Sequence, residues 1–167
     1  MTAINRKGTV GALLYAYRKV IAELQQAIVH IDDKKLATIA DAETADKRCA
    51  SIQTILTHVV AAGYSHANYI RQAAGAEPGY HDDVVYATAG DYRRELDAVF
   101  SFISDTFKNI KDEDLEQFDN DKKVITKWGQ YYDIEQMAEH AIVHFIKHTR
   151  QIKNFEALLS STQSDNS

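Results

Sequence analysis

Seven glycines and a single proline, Pro78, punctuate 167 residues, so the chain has few positions at which a helix must stop. Between those breaks the apolar residues recur at three- and four-residue steps, the spacing of one helical face. From about Val10 to His30, the residues Leu13, Leu14, Tyr17, Val20, Ile21, Leu24 and Ile28 form such a stripe. A second runs from Ser51 to about Ala74 through Ile52, Ile55, Leu56, Val59, Ala62, Tyr69 and Ile70. A third runs from about Asp91 to Ile110 through Tyr92, Leu96, Val99, Phe100, Ile103 and Phe107. The fourth opens at Ile134, where Asp133 followed three residues later by Gln136 resembles a capping box, and extends to about Leu159.

Four amphipathic helices in one chain predict an all-α fold, a four-helix bundle with long loops between helices 1 and 2, 2 and 3, and 3 and 4. The first connection, residues 32–50, is charged and alanine-rich, with a short helix expected around Lys34 to Ala40. The second, Gly75 to Gly90, holds the proline, and loops of that length often border sites. The third, residues 111–132, is irregular, with a brief extended segment closed by Gly129. Residues 1–160 are expected to form one domain, and 161–167 a frayed polar tail. Tyr15, Tyr17, Phe100, Phe102, Phe107 and Phe155 recur at helical spacing and are read as core.

A net charge of −5 argues against electrostatic retention of nucleic acid, and Lys122, Lys123 and Lys127 are too few to make a basic face. No apolar run approaches the ~20 residues of a membrane span, and Met1 to Lys7 lacks the apolar stretch of a secretory signal. The expected location is the cytoplasm, with no membrane partner. One cysteine, Cys49, excludes an internal disulfide or a Cys-x-x-Cys site, so any metal is bound through nitrogen and oxygen. Cys49 itself is read as a small buried hydrophobe. A homodimer is expected, because apolar faces left over on a small bundle tend to pair across a two-fold axis.

The chemistry-bearing pattern lies in the fourth helix, where His140, His144 and His148 recur every fourth residue. Successive members rise about 6 Å and drift about 40° around the axis, so adjacent pairs can share one ion, whereas His140 and His148, about 12 Å apart, cannot. The ladder offers His140 with His144, or His144 with His148. Either pair needs a further ligand, for which His58 in the second helix is the natural candidate. His66 lies two turns beyond His58 and could face either the same cavity or solvent, while His30 and His81 are placed at the surface. Tyr64, Tyr131 and Tyr132 are candidate pocket residues because they flank the proposed ligands or the start of the fourth helix. The competing reading of the ladder is half-buried polar packing.

Several chemistries are excluded. A zincin helix needs glutamate directly after its first histidine, and Ala141 and Phe145 stand there. Di-iron bundles need Glu-x-x-His pairs, and none occurs. Phosphate-binding glycine loops and a nucleophile elbow are also absent.

The segments Ser51-Ile-Gln-Thr-Ile-Leu-Thr-His58 and His144-Phe-Ile-Lys-His148-Thr-Arg-Gln151-Ile152, with Trp128-Gly129 ahead of the fourth helix, resemble the DinB-like (damage-inducible) metalloprotein superfamily. That resemblance selects His58, His144 and His148 as ligands of one divalent metal, nickel, zinc, iron or manganese, with water completing the shell. It leaves His140, His66 and Gln151 as alternative ligands or supporting groups. It implies a metal-dependent thiol transferase, using a low-molecular-weight thiol, or a hydrolase acting on a small-molecule substrate. The alternatives are a non-catalytic metal-binding protein and a structural helical dimer. The chain departs from the pattern at His148-Thr149-Arg150-Gln151, where many relatives read His-Arg-Gly-Gln. It departs again around Gly63, Tyr64 and His66, where relatives often carry an acidic residue and tryptophans.

Overall fold

The structure, a computed structural model, describes residues 7–164 and is all-α apart from one small hairpin. Helix α1 (Gly8–Ala27) buries Val10, Leu13, Leu14, Tyr17, Val20, Ile21 and Leu24, the stripe expected of it. Its N-terminus has no cap from its own neighbour Lys7. Instead the Asp112 carboxylate accepts from the Thr9 and Val10 amides, both at 2.9 Å, satisfying two of the donors a helix start leaves open.

Helix α2 (Asp33–Ala37) is shorter than expected, because Thr38 turns extended and Ile39 bridges antiparallel to Ser51. That bridge delivers Ser51 as the cap of α3 (Ile52–Ala73). Its hydroxyl accepts from the Thr54 amide at 3.1 Å while Thr54 Oγ1 accepts from the Ser51 amide at 3.0 Å. Helix α4 (Ala89–Thr106) begins ahead of the expected Asp91, since Thr88 caps it by accepting from the Asp91 amide at 3.1 Å.

The segment 107–133 contains short 3₁₀ turns and two strands, β1 (Val124–Ile125) and β2 (Tyr131–Tyr132), paired antiparallel with Val124 opposite Tyr132. The expected extended segment is β1. Gly129, at φ +84°, takes the left-handed conformation that closes the turn. Strands of two residues are too short to show alternation, so the pairing left no mark in the sequence.

Helix α5 (Ile134–Ser164) starts at the anticipated capping box. The Asp133 carboxylate accepts from the Gln136 amide at 2.8 Å and Gln136 Oε1 from the Asp133 amide at 3.2 Å. It continues past Leu159 through residues expected to belong to a frayed end; Ser160 accepts from Lys35 Nζ at 3.0 Å, tying that end to the start of α2. The remainder of the expected tail, residues 165–167, lies outside the described residues.

Helix α3 packs against α4 and α5, and α1 against α5 and α4, around one core that includes Tyr17, Ile21, Leu56, Tyr92, Phe107 and Phe145. At Gly63 a Cβ would stand 2.7 Å from Val99 of α4 and 3.4 Å from Phe145 of α5, so glycine lets α3 approach both helices. Phe100, Phe102, Phe155 and Cys49 are partly buried against this core. Tyr15, expected inside, is exposed, because it lies off the face buried by Leu14 and Tyr17. Among the described residues no helix is long and apolar enough to cross a membrane.

Candidate metal centre

Two helices build the site. As α3 advances from His58 to His66, its histidine neighbours on α5 step back from His148 to His140, so the two helices run in opposite directions there. His58, on the first half of α3, meets His144 and His148, and one nitrogen from each of the three lies within 4.8 Å of the others. The ring centres are 4.9 Å apart for His58 and His144, 5.1 Å for His58 and His148, and 4.4 Å for His144 and His148. His58 Nε2 and His144 Nε2 are 3.1 Å apart. With metal–nitrogen bonds of about 2.0–2.1 Å, two imidazoles on one tetrahedral ion place their nitrogens about 3.3 Å and their ring centres about 5 Å apart. The three side chains could therefore hold one metal ion with little movement.

Protonation suits that role. Burial, helped by the neighbouring His148 charge, lowers His58 to about 4, and burial together with His148 and His66 lowers His144 to about 2. Burial also depresses His148, partly opposed by its hydrogen bond to Gln151. All three are neutral imidazoles near pH 7, the form that ligates metals. His148 Nδ1 lies 3.0 Å from Gln151 Oε1, an acceptor, so the proton sits on Nδ1 and the Nε2 lone pair is free.

The other sequence candidates fall around this cluster. His66 is buried on α3, its ring 5.3 Å from His144 and 5.1 Å from His140, and burial lowers it to about 3. His140 pairs with His66 rather than with the triad. Tyr64 donates to Glu95 Oε1 at 2.7 Å and stacks on His81 at 3.7 Å. Tyr132 donates to Gln130 Oε1 at 2.7 Å, with its hydroxyl 3.4 Å from His140 Nδ1. Tyr131 is exposed on the hairpin, and both tyrosines border a shallow groove outside His140 rather than the main cleft.

That cleft, of about 1190 Å³, runs along His58, His144, His66 and His140 and is walled by Tyr64 and Trp128. Trp128 stacks on His140 at 5.5 Å and meets His66 edge-on at 6.2 Å. It was legible only as the tryptophan preceding the fourth helix, with nothing in its spacing to place it on the histidines. His81, expected at the surface, is half-buried in the cleft wall, with its Nε2 buried and without a hydrogen-bond partner among the described residues. Its segment is held by Asn68, whose side chain donates to the Gly79 carbonyl at 2.9 Å and accepts from the Gly79 amide at 2.8 Å. Loop residues follow no periodic pattern, so this contact had no sequence signal. Arg48 also lines the cleft, with Nε and Nη2 donating to the two Asp46 carboxylate oxygens at 2.9 and 2.8 Å. No family model, curated protein or solved structure matches the chain.

Proposed function

We propose that the protein is a divalent-metal-binding four-helix bundle of the DinB-like type, with His58, His144 and His148 as ligands, and that it acts as a metal-dependent thiol transferase or hydrolase on a small molecule. The observation behind this reading is the convergence of three neutral imidazoles within 4.8 Å, two of them on the wall of an open cleft. His148, 2% exposed and steered by Gln151, is the inner ligand; His58 and His144 are the outer two. Three neutral ligands leave the charge of a bound nickel, zinc, iron or manganese ion undiminished, and such an ion lowers the pKa of a water or thiol at its open position. Trp128, exposed at the cleft wall, offers an aromatic surface on which the body of a small substrate can rest while its reacting atom faces His58 and His144.

A second reading, metal binding without catalysis, is favoured by one observation. Asp46, the carboxylate whose charge reaches both His58 and His148, is occupied through both oxygens by Arg48 and is not free to act as a base.

The test is elemental analysis of untagged protein as purified, on the parent and on a His58→Ala, His148→Ala variant. About one tightly held equivalent in the parent, absent from the variant, supports the triad and directs a screen of thiol-transfer and hydrolytic substrates. Turnover lost in the variant separates the first reading from the second. No tightly held metal in the parent, even after exposure to nickel, zinc and manganese, refutes both and leaves a helical interaction protein.

A further inference from the structure

We infer that His66 and His140 form a second divalent-cation site, on the cleft side of the triad and under the indole of Trp128. The proposal is independent of the triad's own ion, because neither residue belongs to that group.

The second pair repeats the geometry of the first, one step along the same helix pair. The His66 and His140 ring centres are 5.1 Å apart at an interplanar angle of 90°, against 5.1 Å and 83° for His58 and His148. That separation matches the roughly 5 Å of two imidazoles on one tetrahedral ion. His144 stands 5.3 Å from His66 with its Nε2 turned to His58, so it separates the two sites. His66 is 5% exposed, its ring makes no hydrogen bond among the described residues, and its nitrogens are not sealed from solvent, so they are open to an ion or water in the cleft. It lines the cleft together with His140. A cation there gives His66 a partner.

Burial keeps both rings neutral at pH 7, as ligation requires. Two nitrogens with water in the remaining positions suit a borderline cation such as zinc, cobalt, nickel or copper rather than magnesium or calcium. Having one protein ligand fewer than the triad, this site fills at higher metal concentration. Trp128 covers it from outside, stacked on His140 at 23°.

Trp128 is the single tryptophan of the chain and reports directly on this position. Metal-free protein is titrated with zinc, the bound equivalents being counted by elemental analysis after dialysis. In parallel it is titrated with cobalt, which quenches indole emission at short range. The parent should take up two equivalents of zinc, the second more weakly. The His58→Ala, His148→Ala variant should keep one equivalent and the cobalt quenching. His140→Ala, a change at a half-buried position, should lose one equivalent and most of the quenching, and His66→Gln should do the same; circular dichroism checks that each variant is folded. If the parent binds a single equivalent that both His140→Ala and His66→Gln retain, the second site is overturned while the triad stands. If the single equivalent survives in the triad variant and is lost in His140→Ala, the second site stands and the triad reading fails. Absence of any binding overturns both.

Discussion

Acid should unfold the metal-free protein through its buried histidines, and His66 allows the size of the effect to be worked out. Its ordinary value is 6.5, and burial lowers it to about 3 in the folded state. Above pH 6.5 the imidazole is neutral whether folded or unfolded, so it contributes no pH dependence. As pH falls below 6.5 the unfolded chain takes up a proton that the folded chain refuses, and folding stability is lost until the pH reaches the folded value near 3. Between pH 7 and pH 5 the folded residue stays neutral, so the loss depends only on the unfolded value. At 1.36 kcal/mol per pH unit over the 1.5 units below 6.5, it comes to about 2 kcal/mol. The assay is urea unfolding with a chelator present, at pH 7 and pH 5, on the parent and on His66→Gln. The parent should lose about 2 kcal/mol more than the variant over that interval, on top of a loss common to both from His58 and His144. Equal losses in the two proteins would refute the assignment of His66 as a neutral buried imidazole.

Replacing Gln151 with alanine removes the acceptor that holds the His148 tautomer, and zinc affinity measured by chelator competition should fall by about 10- to 100-fold with helicity unchanged; an unaltered affinity would show that Gln151 does not orient the ligand. Asp112→Ala leaves the Thr9 and Val10 amides uncapped, which should cost about 1 kcal/mol in urea unfolding and speed amide exchange at those two residues first. Phe145, 1% exposed and packed under Gly63, should cost about 3–5 kcal/mol when changed to alanine. A loss below 1 kcal/mol there would mean that α3 and α5 are not pinned at this point.

The helices were legible because their causes are local. An apolar stripe such as Leu13, Leu14, Tyr17, Val20 and Ile21 repeats within four residues, and the Asp133–Gln136 box closes within three. The same locality makes the His140, His144 and His148 ladder visible, together with the need for a partner such as His58. The start of α4 differs from expectation through the local Thr88 cap, but at α2 and α5 a contact distant in sequence moves the end. Ile39 pairs with Ser51 and shortens α2, and Lys35 ties down Ser160 beyond the expected end of α5.

Which ladder members share a centre is a question of rotation and register between two helices, and no local pattern encodes that. Close approach at Gly63 and packing of Phe145 and Val99 set how α3 lies on α5, and that placement puts His58 against His144 and His148 while His66 meets His140. The stacking of Trp128 on His140, the enclosure of His81 by the segment that Asn68 holds, and the capping of α1 by Asp112 have the same origin. Each joins residues from separate elements, whose distance is fixed only when the helices pack. Residue spacing thus determined the helices and supplied the imidazoles, and tertiary packing alone decided which of them converge, because convergence depends on the angle and offset between helices rather than on any period within one.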